Sequence, residues 1–336
     1  MMGNRGKSRL RLVLTGGTCL MDQDEDGNLV LVGRGGERVG EVLPALERWA
    51  EVGVEEFSNL PGEWLSPPLW VRLRARLTEL LSSPETDGAV VVVGTDGLEE
   101  TAYFLHLTVP TRKPLVLTAS LLGLGEPGSD APLNLVDAVR VAAAPEAEGK
   151  GVLVVMGGKI YSARGVRKND AQAVAPFSGE LGPLGLVDRE GVYFYWEPLR
   201  RHTHSSEFAA IPLLSLPRVD LCCAYAGADG TLVEAALAAG AEGIVVAALG
   251  SGNVSRELGE ALAEAASRGA PVVVSTQAGN GRVSPIYRYP GGGGDLALAG
   301  CVFADNLSPL KARVLLMVAL RCLASRRELG RVFAEY

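Results

Sequence analysis

The sequence predicts an α/β protein of two domains, a larger amino-terminal one with a mainly parallel sheet and appended hairpins and a smaller carboxyl-terminal α/β one. Three observations lead there. Short, continuous apolar runs such as VVVV at residues 90–93 are the pattern of strands buried on both faces of a parallel sheet. They alternate with segments whose apolar residues recur at helical spacing, which implies βαβ units and right-handed crossovers. Finally, 336 residues exceed what one ordinary hydrophobic core organises.

Taken in order, residues 10–14 (LRLVL) form the first strand and run into Thr15-Gly16-Gly17-Thr18. Paired glycines there let the backbone turn sharply and approach a ligand closely, but the third glycine and helix of a dinucleotide fingerprint are missing. The acidic, glycine-punctuated stretch from Cys19 to Gly36 reads as a mobile loop or loose hairpin, either a lid over a site or a surface connection. A helix over 40–50, a strand over 54–57 and a helix over 69–81 capped by Ser66 follow. After the VVVV strand, Leu98, Thr101, Ala102 and Leu105 predict a helix, with Gly94, Thr95, Asp96 and Gly97 between the two. Residues 114–118 and 151–156 are further buried strands flanking a helix over 133–144. From 157 to 196 short extended segments joined by turns suggest hairpins, and Lys168 falls in a basic loop among them.

Residues 200–217 read as a connector, which places the domains at 1–205 and 218–336 with a linker at 206–217. Beyond it strands at 219–224, 243–247 and 271–275 alternate with helices at 231–239 and 255–267. A glycine-rich flexible loop comes next, and helices at 309–323 and 326–333 close the chain.

Composition excludes several classes. The net charge of −7 argues against nucleic acid as the main partner, and no apolar run reaches the roughly 20 residues that span a bilayer. The opening MMGNRGKSRLRLVL has too short an apolar stretch for a secretory signal. Five scattered cysteines lack metal-ligand spacing and read as reduced thiols of a cytoplasmic protein. His202 and His204 in RRHTH read as a polar loop rather than a metal site, because nothing elsewhere completes an evident zinc set.

The strand-to-helix turn at Thr95 and Asp96 lies at the carboxyl edge of the sheet, where open α/β folds place ligands. Two readings apply to it. Either residue can cap the helix, as Thr and Asp often do. Alternatively the hydroxyl and carboxylate form half of a hydrolytic site, which a lysine such as Lys168 completes if folding brings it close enough to take a proton.

TGGT after the first strand, GTDGLEETAYFL after a later one, a lysine after GVLVVM, then RRHT, LPRV and LSPLKARVLLMVAL stand in one order along the chain. This set resembles the bacterial-type L-asparaginase family of two-domain amidohydrolases, over nearly the whole length. The resemblance implies a threonine nucleophile, Thr18, that attacks a side-chain amide to give an acyl-enzyme hydrolysed by water. It also implies an activating and substrate-orienting set of Thr95, Asp96 and Lys168, with Gly17 and Gly94 in the binding turns. A small amino-acid amide is the implied partner, within a homodimer or homotetramer, and the resemblance implies no metal and no organic cofactor. Nothing in a fold requires Thr95, Asp96 and Lys168 together, which favours catalysis.

The departures from that family are specific. Asn28 stands where the loop tyrosine is expected, and Gly62 and Glu63 fall on the substrate-binding serine and its polar neighbour. Gly97 replaces a hydroxyl, while AYAGADG and PGGGGD replace the asparagine and glutamate that reach a neighbouring subunit's site. Two consequences are expected: Gly62 leaves room for a larger substituent, and Glu63 offers a countercharge to a cationic group. The alternatives left open are a non-hydrolytic homologue that binds an amino-acid-like ligand, and a pathway-specific amide or ester hydrolase.

Overall fold

The structure, a computed structural model, describes residues 6–31, 33 and 35–336. They form two compact units, one ending at Ala210 and the other running from Ile211 to Tyr336.

In the first unit β1 (Arg9–Gly16) is followed by a hairpin, β2 (Met21–Gln23) and β3 (Leu29–Leu31), then α1 (Gly35–Leu46) and β4 (Glu51–Leu60). Next come α2 (Pro67–Ser82), β5 (Gly88–Val92), α3 (Leu98–Thr108), β6 (Leu115–Thr118), α4 (Ala131–Ala143) and β7 (Val152–Met156). The short strands β8 (Lys159–Ser162), β9 (Val166–Lys168), β10 (Phe177–Gly179), β11 (Gly185–Val187) and β12 (Val192–Phe194) complete it. The large sheet has the order β12-β11-β8-β7-β6-β5-β1-β4, and β9 pairs only with β10 outside it. Strands β4, β1, β5, β6 and β7 are parallel, while β8, β11 and β12 are antiparallel additions.

Strands β5, β6 and β7 are buried at every position, as their apolar runs require when helices cover both faces. Leu12, Leu14, Val90, Val92, Val116, Leu135, Val139, Leu153 and Val155 share one core. The chain order also locates a crevice. From β1 it passes to β4 on one side, then returns to β5 on the other, so the sheet switches direction between β1 and β5. Ligands of open α/β sheets bind outside the carboxyl ends of the strands at such a point.

The second unit is a parallel sheet of β13 (Val219–Cys223), β14 (Gly243–Ala248), β15 (Val272–Thr276) and β16 (Val302–Phe303) in that order. It carries α5 (Thr231–Ala238), α6 (Arg256–Ser267), α7 (Gly293–Leu298), α8 (Pro309–Cys322) and α9 (Leu329–Glu335). Val246, Ala248, Leu258, Leu262 and Val274 lie in its core. No helix among the described residues is long and apolar enough to cross a membrane.

Several elements differ from the sequence expectation. The first helix is Gly35–Leu46, not 40–50, because Val39, Val42 and Leu46 are its buried stripe while Trp49 is exposed in the turn beyond. Strand β4 extends over ten residues, since its register with β1 runs from Glu51 to Leu60. Ser66 stands at the N-cap of α2, but its side chain makes no capping bond: Pro68, at the second helical position, has no N–H, and the Leu69 N–H donates to the Ser66 carbonyl at 2.8 Å. The last two glycines of the segment read as a loop, Gly293 and Gly294, begin α7. The stretch from Cys19 to Gly36 is a hairpin over its described part; Val32 and Arg34 fall outside the described residues.

In the polar loop expected at RRHTH, His204 is exposed but His202 is buried. His106 on α3 and His202 are buried, with ring centroids 5.1 Å apart, and His204 stacks edge-on to His202 at 5.4 Å. Gly151, at φ +74°, passes so close that a Cβ there would lie 2.6 Å from His106 Cε1 and 2.9 Å from His202 Nδ1. The His106 Nδ1 accepts the Val152 N–H at 3.1 Å. Burial, reinforced by His204, lowers His202 from 6.5 to about 4. Burial and the charge of Arg112 lower His204 as well. Between those pH values the unfolded chain binds a proton at His202 that the folded chain does not, so stability falls as pH drops from 6.5 towards 4. Urea unfolding at pH 7.5 and 4.5 should show His202→Gln losing less stability on acidification than the parent, by on the order of 2 kcal/mol. Equal losses would remove His202 as the source.

Candidate active site

The carboxyl ends of β4, β1 and β5 meet main chain to main chain. At the end of β1, Gly16 and Gly17 have φ of +118° and +86°, a region open to glycine but strained for other residues. A Cβ on Gly17 would lie 2.4 Å from Gly94 Cα, one on Gly94 2.5 Å from Gly62 Cα, and one on Gly62 2.3 Å from the Asp96 carbonyl oxygen. Only three residues without side chains allow this approach. Hydroxyls lock the strands behind it: Thr15 donates to the Val92 carbonyl at 2.9 Å and Ser58 to the Thr15 carbonyl at 2.8 Å.

Past this junction the chain presents Thr18 at the start of a 3-10 turn (Thr18–Leu20), half-buried, between Gly17 and the buried Cys19 and Leu20. Among the described residues nothing hydrogen-bonds the Thr18 hydroxyl. The Gly17 N–H donates to the Leu60 carbonyl at 2.9 Å, so that amide is already used within the turn. Burial pushes the Cys19 thiol up to about 12, which leaves it protonated and unreactive beside the threonine.

Thr95 and Asp96 occupy the turn between β5 and α3. Neither caps the helix: the N-cap is Gly97, at φ +80° in the left-handed region, with no side-chain capping bond. Both side chains instead meet Lys168, more than seventy residues later. Lys168 Nζ donates to Thr95 Oγ1 at 3.0 Å and to Asp96 Oδ1 at 2.6 Å. Thr95 is 6% exposed, whereas the Asp96 side chain is 65% exposed and open to a ligand. Lys168 lies on strand β9, not in the solvated loop that the basic sequence around it suggested.

The remaining predicted positions behave differently from one another. Gly62 joins the junction, and main chain fills the space its side chain would take. The room expected there for a larger substituent is absent for that reason. Glu63, in the 3-10 turn Gly62–Trp64, is exposed and without a partner among the described residues. Asn28 is exposed at the hairpin tip, where its backbone N–H and side-chain amide both donate to Asp24, at 2.8 and 3.3 Å. The structure therefore brings Gly17, Thr18, Gly62, Gly94, Thr95, Asp96 and Lys168 to one edge and ties Asn28 to its own hairpin. Sequence reading missed Glu99, buried on α3, whose Oε1 accepts the Lys168 backbone N–H at 2.9 Å. A carboxylate in the first helical turn was its only sequence signal. No group of three metal-ligating side chains exists among the described residues.

The parallel sheet and its switch point place the chain among the open α/β proteins, with Thr18, Thr95, Asp96 and Lys168 on turns at the carboxyl edge. Residues 9–200 match the family described as "Asparaginase, N-terminal", and residues 218–333 match "Glutaminase/Asparaginase C-terminal domain". The chain belongs to the asparaginase family. It is 40% identical over 331 residues to a probable L-asparaginase of Deinococcus radiodurans, covering 97% of each chain. It is 37% identical over 331 residues to L-asparaginase 2 of Bacillus subtilis, covering 97% of this chain and 86% of that one. The crystal structure of a probable cytoplasmic L-asparaginase from Campylobacter jejuni superposes with a TM-score of 0.88 at 33% identity, over 98% of this chain and 100% of that one.

The junction has a direct consequence. Gly62→Ala should lower stability by about 1–3 kcal/mol, because the clashing atoms are main chain and cannot swing away. Gly40→Ala, in α1 with nothing within 4 Å of the new methyl, should instead be neutral or stabilising by up to about 1 kcal/mol. Thermal melts of the two variants check the contrast, and an unchanged Gly62→Ala midpoint would contradict it.

Proposed function

We propose that the protein is an amidohydrolase that splits the side-chain amide of an asparagine-like substrate into the acid and ammonia. The observation that carries this reading is Lys168 Nζ held 3.0 Å from the Thr95 hydroxyl and 2.6 Å from the Asp96 carboxylate. In the proposed reaction Thr18 Oγ attacks the amide carbon and its proton passes to the leaving nitrogen. The C–N bond breaks, ammonia departs, and the acyl group stays on Thr18 as an ester. Lys168, in its neutral amine form, then draws a proton through Thr95 from a water, whose oxygen attacks the ester carbon; as the ester C–O bond breaks and the acid leaves, that proton is passed to Thr18 Oγ. Lysine beside a threonine hydroxyl is suited to this, since a hydroxyl is too weak an acid to react without a positioned base. Asp96 keeps the lysine oriented and, through its exposed side, offers a carboxylate to a substrate ammonium. Gly17, Gly94, Gly62 and Glu63 would line the binding turns.

We also propose the domain limits 1–205 and 218–336 with the linker at 206–217, a cytoplasmic location, and a homodimer or homotetramer as the working assembly. Light scattering on the purified protein measures the last of these.

The exposed, unpartnered Glu63 and the tethered Asn28 support a second reading, in which an amino-acid-like ligand binds without being hydrolysed. A third keeps the threonine ester but takes a different amide or ester as substrate. Ammonia release from L-asparagine, L-glutamine and N-substituted analogues separates these readings. The parent should release ammonia from at least one, and Thr18→Ala and Lys168→Met should each lower kcat by roughly a hundredfold or more. Binding without ammonia, unaltered by Thr18→Ala, selects the second reading. Mass spectrometry of a trapped acyl-enzyme identifies the group under the third.

A further inference from the structure

Lys168 has to be delivered to Thr95 by a strand that the large sheet does not hold. Strand β9 is three residues long, pairs only with β10, and stands outside the eight-stranded ladder that fixes β5 and the Thr95–Asp96 turn. The ties of this hairpin include the Tyr161 hydroxyl of β8, which donates to the Phe177 carbonyl of its partner strand at 3.0 Å, and the Glu180 N–H, which donates to the Gly165 carbonyl at 3.0 Å. Lys168 itself is tied as well. The backbone N–H donates to Glu99 Oε1 at 2.9 Å, across 69 residues of sequence.

Glu99 is well placed for this task. It is 8% exposed, and it sits in the first turn of α3, the helix that begins directly after Gly97. The turn that carries Thr95 and Asp96 and the helix that carries Glu99 therefore move as one piece. A carboxylate is stabilised near a helix amino terminus, where unsatisfied N–H groups and the helix dipole favour negative charge. Hydrogen bonding to the Lys168 main chain further offsets its burial. The lysine is thus gripped twice by one short stretch, by its backbone at Glu99 and by its ammonium at Thr95 and Asp96. A lysine side chain has four rotatable bonds, so fixing its backbone is what limits the arc its Nζ can sweep.

We propose that Glu99 is a positioning residue for catalysis: its carboxylate oxygen holds the Lys168 backbone so that Nζ stays within reach of the Thr95 hydroxyl. This rests on the hydrolytic reading of the site. Misplacement of a reacting group by about 1 Å can reduce a rate by a hundredfold, so the effect should appear in turnover more than in binding. Glu99→Gln retains an acceptor oxygen of the same reach, whereas Glu99→Ala removes it and Glu99→Asp falls one methylene short.

The test compares these three variants by kinetics and by crystal structure. Glu99→Gln should keep kcat within about threefold, while Glu99→Ala should lose tenfold to a hundredfold in kcat with KM within about threefold. A role confined to folding would not split kcat from KM in this way, nor be rescued by glutamine. The crystal structures decide the geometry without reference to activity: Nζ should remain near 3.0 Å from Thr95 Oγ1 with glutamine and move beyond hydrogen-bond reach with alanine. If alanine does not fold, aspartate takes its place with the same expectation. An undisplaced lysine in the alanine or aspartate structure, or equal kcat losses for glutamine and alanine, overturns the proposal. A parent enzyme that releases no ammonia from any amide overturns the hydrolytic reading instead, and the structures still decide whether Glu99 sets the lysine.

Discussion

The contact of three glycines, Gly17, Gly94 and Gly62, at the carboxyl edge of the large sheet is the constraint on which the site depends. Strands in a sheet lie about 4.8 Å apart, and the side chains at their ends normally keep the following loops separate. Here the loops after β1, β5 and β4 converge with only hydrogen at each α-carbon. Thr18 follows the first of these glycines, Thr95 and Asp96 the second, and Glu63 the third. Closing the junction brings three segments that are tens of residues apart in sequence into one place. It coincides with the point where the strand order reverses, so the crevice left by the topology and the turns that line it are the same feature.

Around that junction the polar groups are used in a graded way. Buried hydroxyls such as Thr15, Ser58 and Thr118 donate to main-chain carbonyls and serve the sheet. The Thr95 hydroxyl instead accepts from a lysine, and the Thr18 hydroxyl has no partner among the described residues. The ammonium–carboxylate pair of Lys168 and Asp96 is half-buried at the lysine and open at the aspartate, with side-chain exposures of 19% and 65%. Such a pair contributes little to stability when one partner is so solvated, and its value lies in orienting the lysine. The carboxylate face remains available to a ligand.

The positions at which the sequence is expected to depart from the family, Gly62, Asn28 and Glu63, have different surroundings. Main chain fills the place of a side chain at Gly62, and Asn28 is drawn to Asp24 within its hairpin. Glu63 adds an exposed negative charge beside the crevice. The same edge carries the Thr95 hydroxyl, the Lys168 ammonium and the Asp96 carboxylate.

The apolar runs at β5, β6 and β7 were legible because a strand buried on both faces must be apolar at every position, and the turns after β1 and β5 were legible because glycine and hydroxyl residues mark them. The order TGGT, GTDG, lysine was enough to indicate the family. Element limits were less legible: α1 begins at Gly35 and β4 spans ten residues, because packing and register, rather than propensity, set where they start and stop. Whether Thr95 and Asp96 cap a helix or meet a lysine was open in the sequence, since both readings use the same residue types. Folding decides it by placing Gly97 at the cap and Lys168 on β9. The three-histidine stack and the Glu99 tie depend on residues far apart in the chain, and local pattern carries no record of such pairs. The sequence by itself determined which groups are available and on which turns they sit. Only the tertiary structure decided which of them touch, because main-chain contact at the glycine junction and hydrogen bonds across the sheet edge are properties of the closed fold.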